Sequence, residues 1–343
     1  MMPKGINMKD KKKNLNSNRG APTRLDVQPY KEAAIPVFLC LVCMAVACVA
    51  WIINKFVYPF GETLLAPVIL ELLAIVFPCY LVLLSIYPKK SAAEQMRSVG
   101  FHKISPRYVF FMLFAALFLM GSSMAVSIIF GGVYSFADGL TLLGTFVAGS
   151  NEYTNALPYL ILAYVIVPAI AEELLLRGVI LSQLDGVGFA AATAVSALAS
   201  ALLGFSLGGA VPAMFVACLM CFVFYTTGSV WACIIVRLIF NLYRLFLESN
   251  ISAYYVSLSS RGLFLTVLLI IFLISGALFF GESARIYRES AASDDKENSK
   301  KKTLSFRTFT ADIKRMALFG PTVALSIACA AIFLAVVVTE YIV

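Results

Sequence analysis

The chain has 343 residues, 61% of them hydrophobic and 13% charged, with a mean hydropathy of +0.89, far from the mixture of a water-soluble globular domain. A hydrocarbon core about 30 Å thick takes about 20 mostly apolar residues per helix, so this composition predicts a polytopic membrane protein and excludes a soluble enzyme. The formal charge of +8 then reports topology rather than nucleic-acid binding, and no nucleic-acid partner is expected.

In chain order, residues 1–34 form a basic, polar tail carrying Lys4, Lys9, Lys11, Lys12, Lys13, Arg19, Arg24 and Lys31. It is expected to be disordered and cytoplasmic. The apolar run after it has spanning length, so no secretory signal peptide is read. Nine apolar runs follow, at about 35–53, 63–87, 108–133, 157–176, 187–204, 210–226, 230–247, 263–280 and 319–340. The expected fold class is therefore all-α, a bundle of about nine transmembrane helices. Its expected parts are the tail, N-terminal transmembrane helices over 35–154, a core over 155–247, and C-terminal helices over 248–343 interrupted by a linker at 281–318.

Basic residues collect in alternate connections, as the positive-inside rule requires. The 88–107 loop has Lys89, Lys90, Arg97, Lys103 and Arg107, the 281–318 segment runs through "KENSKKKTLSFR", and the 134–156 loop has no Lys or Arg. Nine spans put the first two on the cytoplasmic side with the N-terminus, and the C-terminus outside, in a bacterial cell membrane. The 281–318 segment mixes both charge signs with Ser, Asp and Asn and reads as a solvated linker, its basic part able to lie against anionic lipid. The internal repeats of many secondary transporters are not visible.

The eight cysteines all fall inside apolar runs and read as small buried hydrophobes. Cys40/Cys43 and Cys218/Cys221 have CxxC spacing but lack polar co-ligands, so neither predicts a metal or redox site.

The chemistry concentrates in "AIAEELLLRGV", residues 169–179. At about 100° per residue, Glu173 and Arg177 share one helix face and can pair in the favourable acid-before-base order, whereas Glu172 points elsewhere. A carboxylate at membrane depth faces the bundle interior and needs a partner. Pro168 could kink the helix just upstream.

Glu-Glu-x-x-x-Arg-Gly on a transmembrane helix, here Glu172 to Gly178, resembles the first motif of the CPBP family of CAAX prenyl proteases and bacteriocin-processing or immunity proteins. That family continues with Phe-x-x-x-His on the next helix and His-x-x-x-Asn two helices later, the latter soon after a Tyr-x-x-Thr-Gly-Ser-x-Trp-like stretch. "FYTTGSVWACIIVRLIFNLY", residues 224–243, fits that last landmark. The resemblance implies an intramembrane endopeptidase in which the first Glu and the second-motif His activate water, while the third-motif His and Asn stabilise an oxyanion.

Both histidine positions are replaced. Ser200 and Gly204 stand where the second motif has Phe and His, Arg237 stands in place of the third-motif His, and Asn241 is retained. The chain's one histidine, His102, lies between the second and third spans and is assigned no role. Ala192, Ser196, Ser200 and Gly204 form a small-residue stripe that suits close helix packing; alternatively, Gly204 makes room for the longer Arg237. An unpaired arginine at a helix centre costs about 2.5–3.5 kcal/mol, so Arg237 is expected either to snorkel to a surface or to pair with Glu172. Paired, it would occupy the water site, and it cannot accept a proton.

The candidate catalytic set is therefore Glu172, Glu173, Arg237 and Asn241, with Arg177 and Gly204 in support. Without histidine these residues are a poor zinc set, and no metal or other cofactor is expected. Three functions are open: a CAAX-protease-type scaffold that lacks full catalytic competence, an active intramembrane peptidase using Glu172 with Asn241 and Arg237, and a non-catalytic partner-binding or transport protein. The expected partners are membrane lipids and a membrane-embedded or prenylated peptide.

Overall fold

The computed structural model describes residues 34–53, 66–129, 157–184, 189–205, 207–248, 261–293 and 320–342, with a few positions between 250 and 258. The basic tail, the 134–156 loop and most of the expected linker lie outside the described residues. Among those residues every regular element is helical. We number the helices α1 Ala34–Ile52, α2 Ala66–Glu71 continued by Leu72–Val76 and Phe77–Ile86, α3 Ala92–Ser98, α4 Val109–Ile129, α5 Leu157–Gln183, α6 Phe189–Leu203, α7 Leu207–Thr227, α8 Val230–Glu248, α9 Gly262–Ser293 and α10 Gly320–Ile342.

Seven of these helices are long and apolar enough to cross a membrane, and the protein is an integral membrane helix bundle. α6 and the apolar part of α10 are shorter; at 1.5 Å per residue the 15 residues of α6 rise only about 22 Å. α9 departs from expectation in the other direction. Its 32 residues continue past the apolar run through "GESARIYRESAAS", where Arg285 pairs with Glu282 and Glu289. Helix-spaced ion pairs carry the helix into what the sequence reads as linker.

Two apolar clusters hold the bundle. One joins α1, α2, most of α5, α6 and α10 through residues such as Leu39, Met44, Ile75, Leu175 and Phe333. The other joins α4, α8 and α9 through Phe111, Phe118, Phe240 and Phe279. Phe111 stacks on Phe279 at 5.3 Å and Phe118 on the same ring at 5.5 Å. α7 serves both, giving Cys221 to the first cluster and Met220 to the second. The seam where α5 meets α8 holds Glu172, Glu173, Arg177 and Arg237, while Glu71 of α2 and Glu248 at the end of α8 are buried as well.

The cysteines Cys40, Cys43, Cys79, Cys221, Cys233 and Cys329 are buried; Cys48 is half-buried and Cys218 exposed. Among the described residues no three His, Cys, Asp or Glu side chains converge as a metal site would require.

Candidate functional site

α5 is a composite helix. Pro168 cannot donate a backbone hydrogen bond and its ring crowds the preceding turn. The turn before it, Leu162–Ile166, is widened to π geometry, and a second widened stretch runs from Leu174 to Ile180. Between them a seven-residue α segment, Val167–Glu173, carries both carboxylates. Such π insertions are frequent at functional sites.

Glu172 and Glu173 are fully buried and part company as their spacing implies. Glu173 Oε1 accepts from Arg177 Nη1 at 3.1 Å, within the same helix. Arg177 is 1% exposed and its Nη2 donates to the carbonyl of Ala217 on α7 at 3.0 Å. α5 runs on to Gln183 rather than ending near 176, so Arg177 lies within the helix. Nothing in the sequence signals the Ala217 carbonyl as its second partner.

Glu172 pairs across the seam. Its Oε2 accepts from Arg237 Nη2 of α8, so Arg237 points inward and does not snorkel; it is 8% exposed. Four side chains, two acidic and two basic, thus form a neutral buried quartet. Asn241 lies one turn beyond Arg237 on the same face, fully buried, and its amide donates to the carbonyl of Val165 at 3.4 Å, inside the first widened turn of α5.

Gly204 directly follows α6. A Cβ built there would meet the carbonyl oxygens of Ala201 (3.4 Å) and Ser200 (3.8 Å), both ordinary contacts. His102 is exposed; its backbone carbonyl accepts from Ser229 Oγ at 2.7 Å.

The connection between α7 and α8 explains the "TTGS" residues. Gly228 adopts φ +65° and donates to Phe224 O at 2.7 Å, closing α7 with the left-handed residue that glycine tolerates. Thr227 Oγ1 accepts from the Ser229 amide at 3.3 Å. The amide of Val230, first in α8, reaches the carbonyl of Gly100 at 2.9 Å. The turn sets where α8 begins and hence the height of Arg237 against Glu172.

Residues 154–243, from just before α5 to Tyr243 of α8, match the family model described as type II CAAX prenyl endopeptidase Rce1-like. Over this core the chain is similar to the CPBP/CAAX protease family. No curated protein and no solved structure matches the chain. The match takes in Glu172, Glu173, Arg177, Gly204, Arg237 and Asn241.

Metal chemistry is sometimes attributed to this family, but the donors here do not fit it. Glu172 and Glu173 are each engaged by a guanidinium, Asn241 presents its amide to a carbonyl, and no histidine approaches. Thiolate, imidazole or free carboxylate ligands in a tight cluster are what zinc needs.

Proposed function

We propose that the protein is a CAAX-protease-type membrane scaffold whose hydrolytic unit has been dismantled, and that its buried seam receives a membrane-embedded or lipidated peptide without cutting it. The Arg237–Glu172 pair carries this reading. General-base catalysis needs a carboxylate free to take a proton from water. A guanidinium at hydrogen-bond distance takes up that capacity, and arginine itself cannot accept a proton.

One observation favours a second reading, that of an active peptidase. Arg237 Nε is buried without a hydrogen-bond partner, as is Glu173 Oε2. A free N–H donor in a dry site is suited to an oxyanion. In that reading Glu172 is the base, and Arg237 with Asn241 holds the oxyanion.

Turnover of fluorogenic prenylated and unprenylated peptides by the protein in lipid separates the two, beside Glu172→Ala and a Gly204→His, Arg237→His double variant. The expected result is no cleavage by wild type and cleavage by the double variant. Wild-type cleavage that disappears in Glu172→Ala would overturn the proposal. Photocrosslinking of a prenylated peptide to the wild type, competed by unlabelled peptide, tests the binding half directly.

A further inference from the structure

The stretch 88–107 leaves the bundle at the end of α2 and re-enters it at α4, so it is held against one face of the membrane. It carries Lys89, Lys90, Arg97, Lys103 and Arg107, all exposed, against a single carboxylate, Glu94. That carboxylate is committed: Glu94 Oε2 accepts from the Ser91 amide at 2.9 Å and from Ser91 Oγ at 3.0 Å, in a capping box at the start of α3. Lys90 lies over the Tyr87 ring at 4.2 Å, and Arg107 over Tyr108 at 4.7 Å. Cation-on-tyrosine pairs at both ends of the stretch mark the depth of lipid headgroups.

The same stretch reaches the site helices. Between Arg97 and Lys103 the chain turns at Gly100, with φ +96°, a conformation that favours glycine. The Gly100 carbonyl receives the Val230 amide and the His102 carbonyl receives Ser229 Oγ. Phe101 meets Trp231 of α8 edge to face at 5.3 Å. Its ring also lies 3.8 Å from where a Cβ on Gly178 of α5 would stand. Phe101 is thus a wedge between the helix that carries Glu172 and the helix that carries Arg237.

We infer that the 88–107 stretch is a docking surface for the phosphodiester headgroups of anionic phospholipids, and that headgroups bound there are felt at the α5–α8 seam through the Phe101 wedge. Clustered cations beside a membrane face attract anionic lipid, and the five cations of the stretch outnumber its one carboxylate, Glu94. The inference stands whether or not the seam hydrolyses peptides.

Trp231 reports on the wedge. The chain has two tryptophans, so Trp51→Phe leaves Trp231 as the single emitter. In nanodiscs of phosphatidylcholine with a rising fraction of phosphatidylglycerol, its emission is expected to shift saturably, and the shift to be reversed by salt. A variant with Lys89, Lys90, Arg97, Lys103 and Arg107 all changed to Gln is expected to lose the shift. The pair Lys89→Gln, Lys103→Gln, which removes no hydrogen bond described above, is expected to need more anionic lipid, roughly fivefold for each charge removed. The pair keeps the test decisive if the fivefold variant fails to fold. An unchanged response in the pair would overturn the inference. So would a Trp231 response to an acidic hexapeptide in pure phosphatidylcholine with none to phosphatidylglycerol, which would assign the surface to a protein tail.

Discussion

Arg237 of α8 donates to Glu172 of α5 across 65 positions of sequence, and both side chains are buried, Glu172 fully. Removing one partner strands the other as a buried charge, which in buried pairs costs about 3–5 kcal/mol. Arg237→Met is therefore expected to lower the thermal midpoint of the protein in lipid sharply. Adding Glu172→Gln to Arg237→Met should restore much of the loss, because both charges are then absent. Equal loss in the single and double variants would show that the pair contributes nothing.

Arg177 ties α5 to α7 as well as to its own turn. A lysine at 177 keeps the charge but loses the planar fork that serves Glu173 and the Ala217 carbonyl together. Arg177→Lys is expected to cost about 1–3 kcal/mol, the penalty of leaving a buried acceptor unmet. Denaturant titration in micelles, read by tryptophan emission, measures it.

Two glycines make opposite predictions. At Gly100 the backbone is left-handed, and a Cβ would lie 3.0 Å from the Phe224 ring, so Gly100→Ala is expected to destabilise by about 1–2 kcal/mol. At Gly178, although it belongs to the Glu-Glu-x-x-x-Arg-Gly motif, a Cβ would meet Leu174 at 3.5 Å and Phe101 at 3.8 Å, both ordinary contacts. Gly178→Ala is expected to be neutral or stabilising, since alanine is the better helix former. Thermal midpoints of the two variants, measured side by side, check both.

Glu94 titrates outside the membrane. Its hydrogen bonds from the Ser91 amide and hydroxyl hold its carboxyl below the usual carboxylate range. A lowered native pKa contributes stability above the unfolded value and loses it as pH falls through the native one. Amide protection across Ala92–Ser98, taken relative to the intrinsic exchange rate at each pH, should therefore be greatest near neutrality and fall in acid below the normal Glu range. Glu94→Gln should remove that acid step while leaving exchange in α4 unchanged.

The paired charges were legible because a lipid environment makes them expensive: an arginine at mid-helix had to find an acid or a surface, and helix spacing left Glu172 for it; the buried Glu71 of α2 went unread. Hydropathy likewise located the apolar helices. It could not see α9 beyond its apolar run, because Glu282, Arg285 and Glu289 extend the helix through ion pairs that a hydropathy window counts as loss. The widened turns of α5 had no residue signature apart from Pro168. Phe101 was hidden for a different reason: a contact joining one short loop to two separate helices leaves no period in sequence.

The neutrality of the quartet has a consequence for how the chain is made. The buried charges of α5 are two acids and one base, those of the Arg237 turn of α8 a single base, so neither helix is electrically balanced when it first leaves the ribosome and enters the bilayer. Each becomes so only on meeting the other, after α6 and α7 have been threaded between them. Biogenesis therefore contains a waiting period. During it α5 depends on the insertion machinery or on water to shelter its surplus acid, and the arrival of α8 ends it.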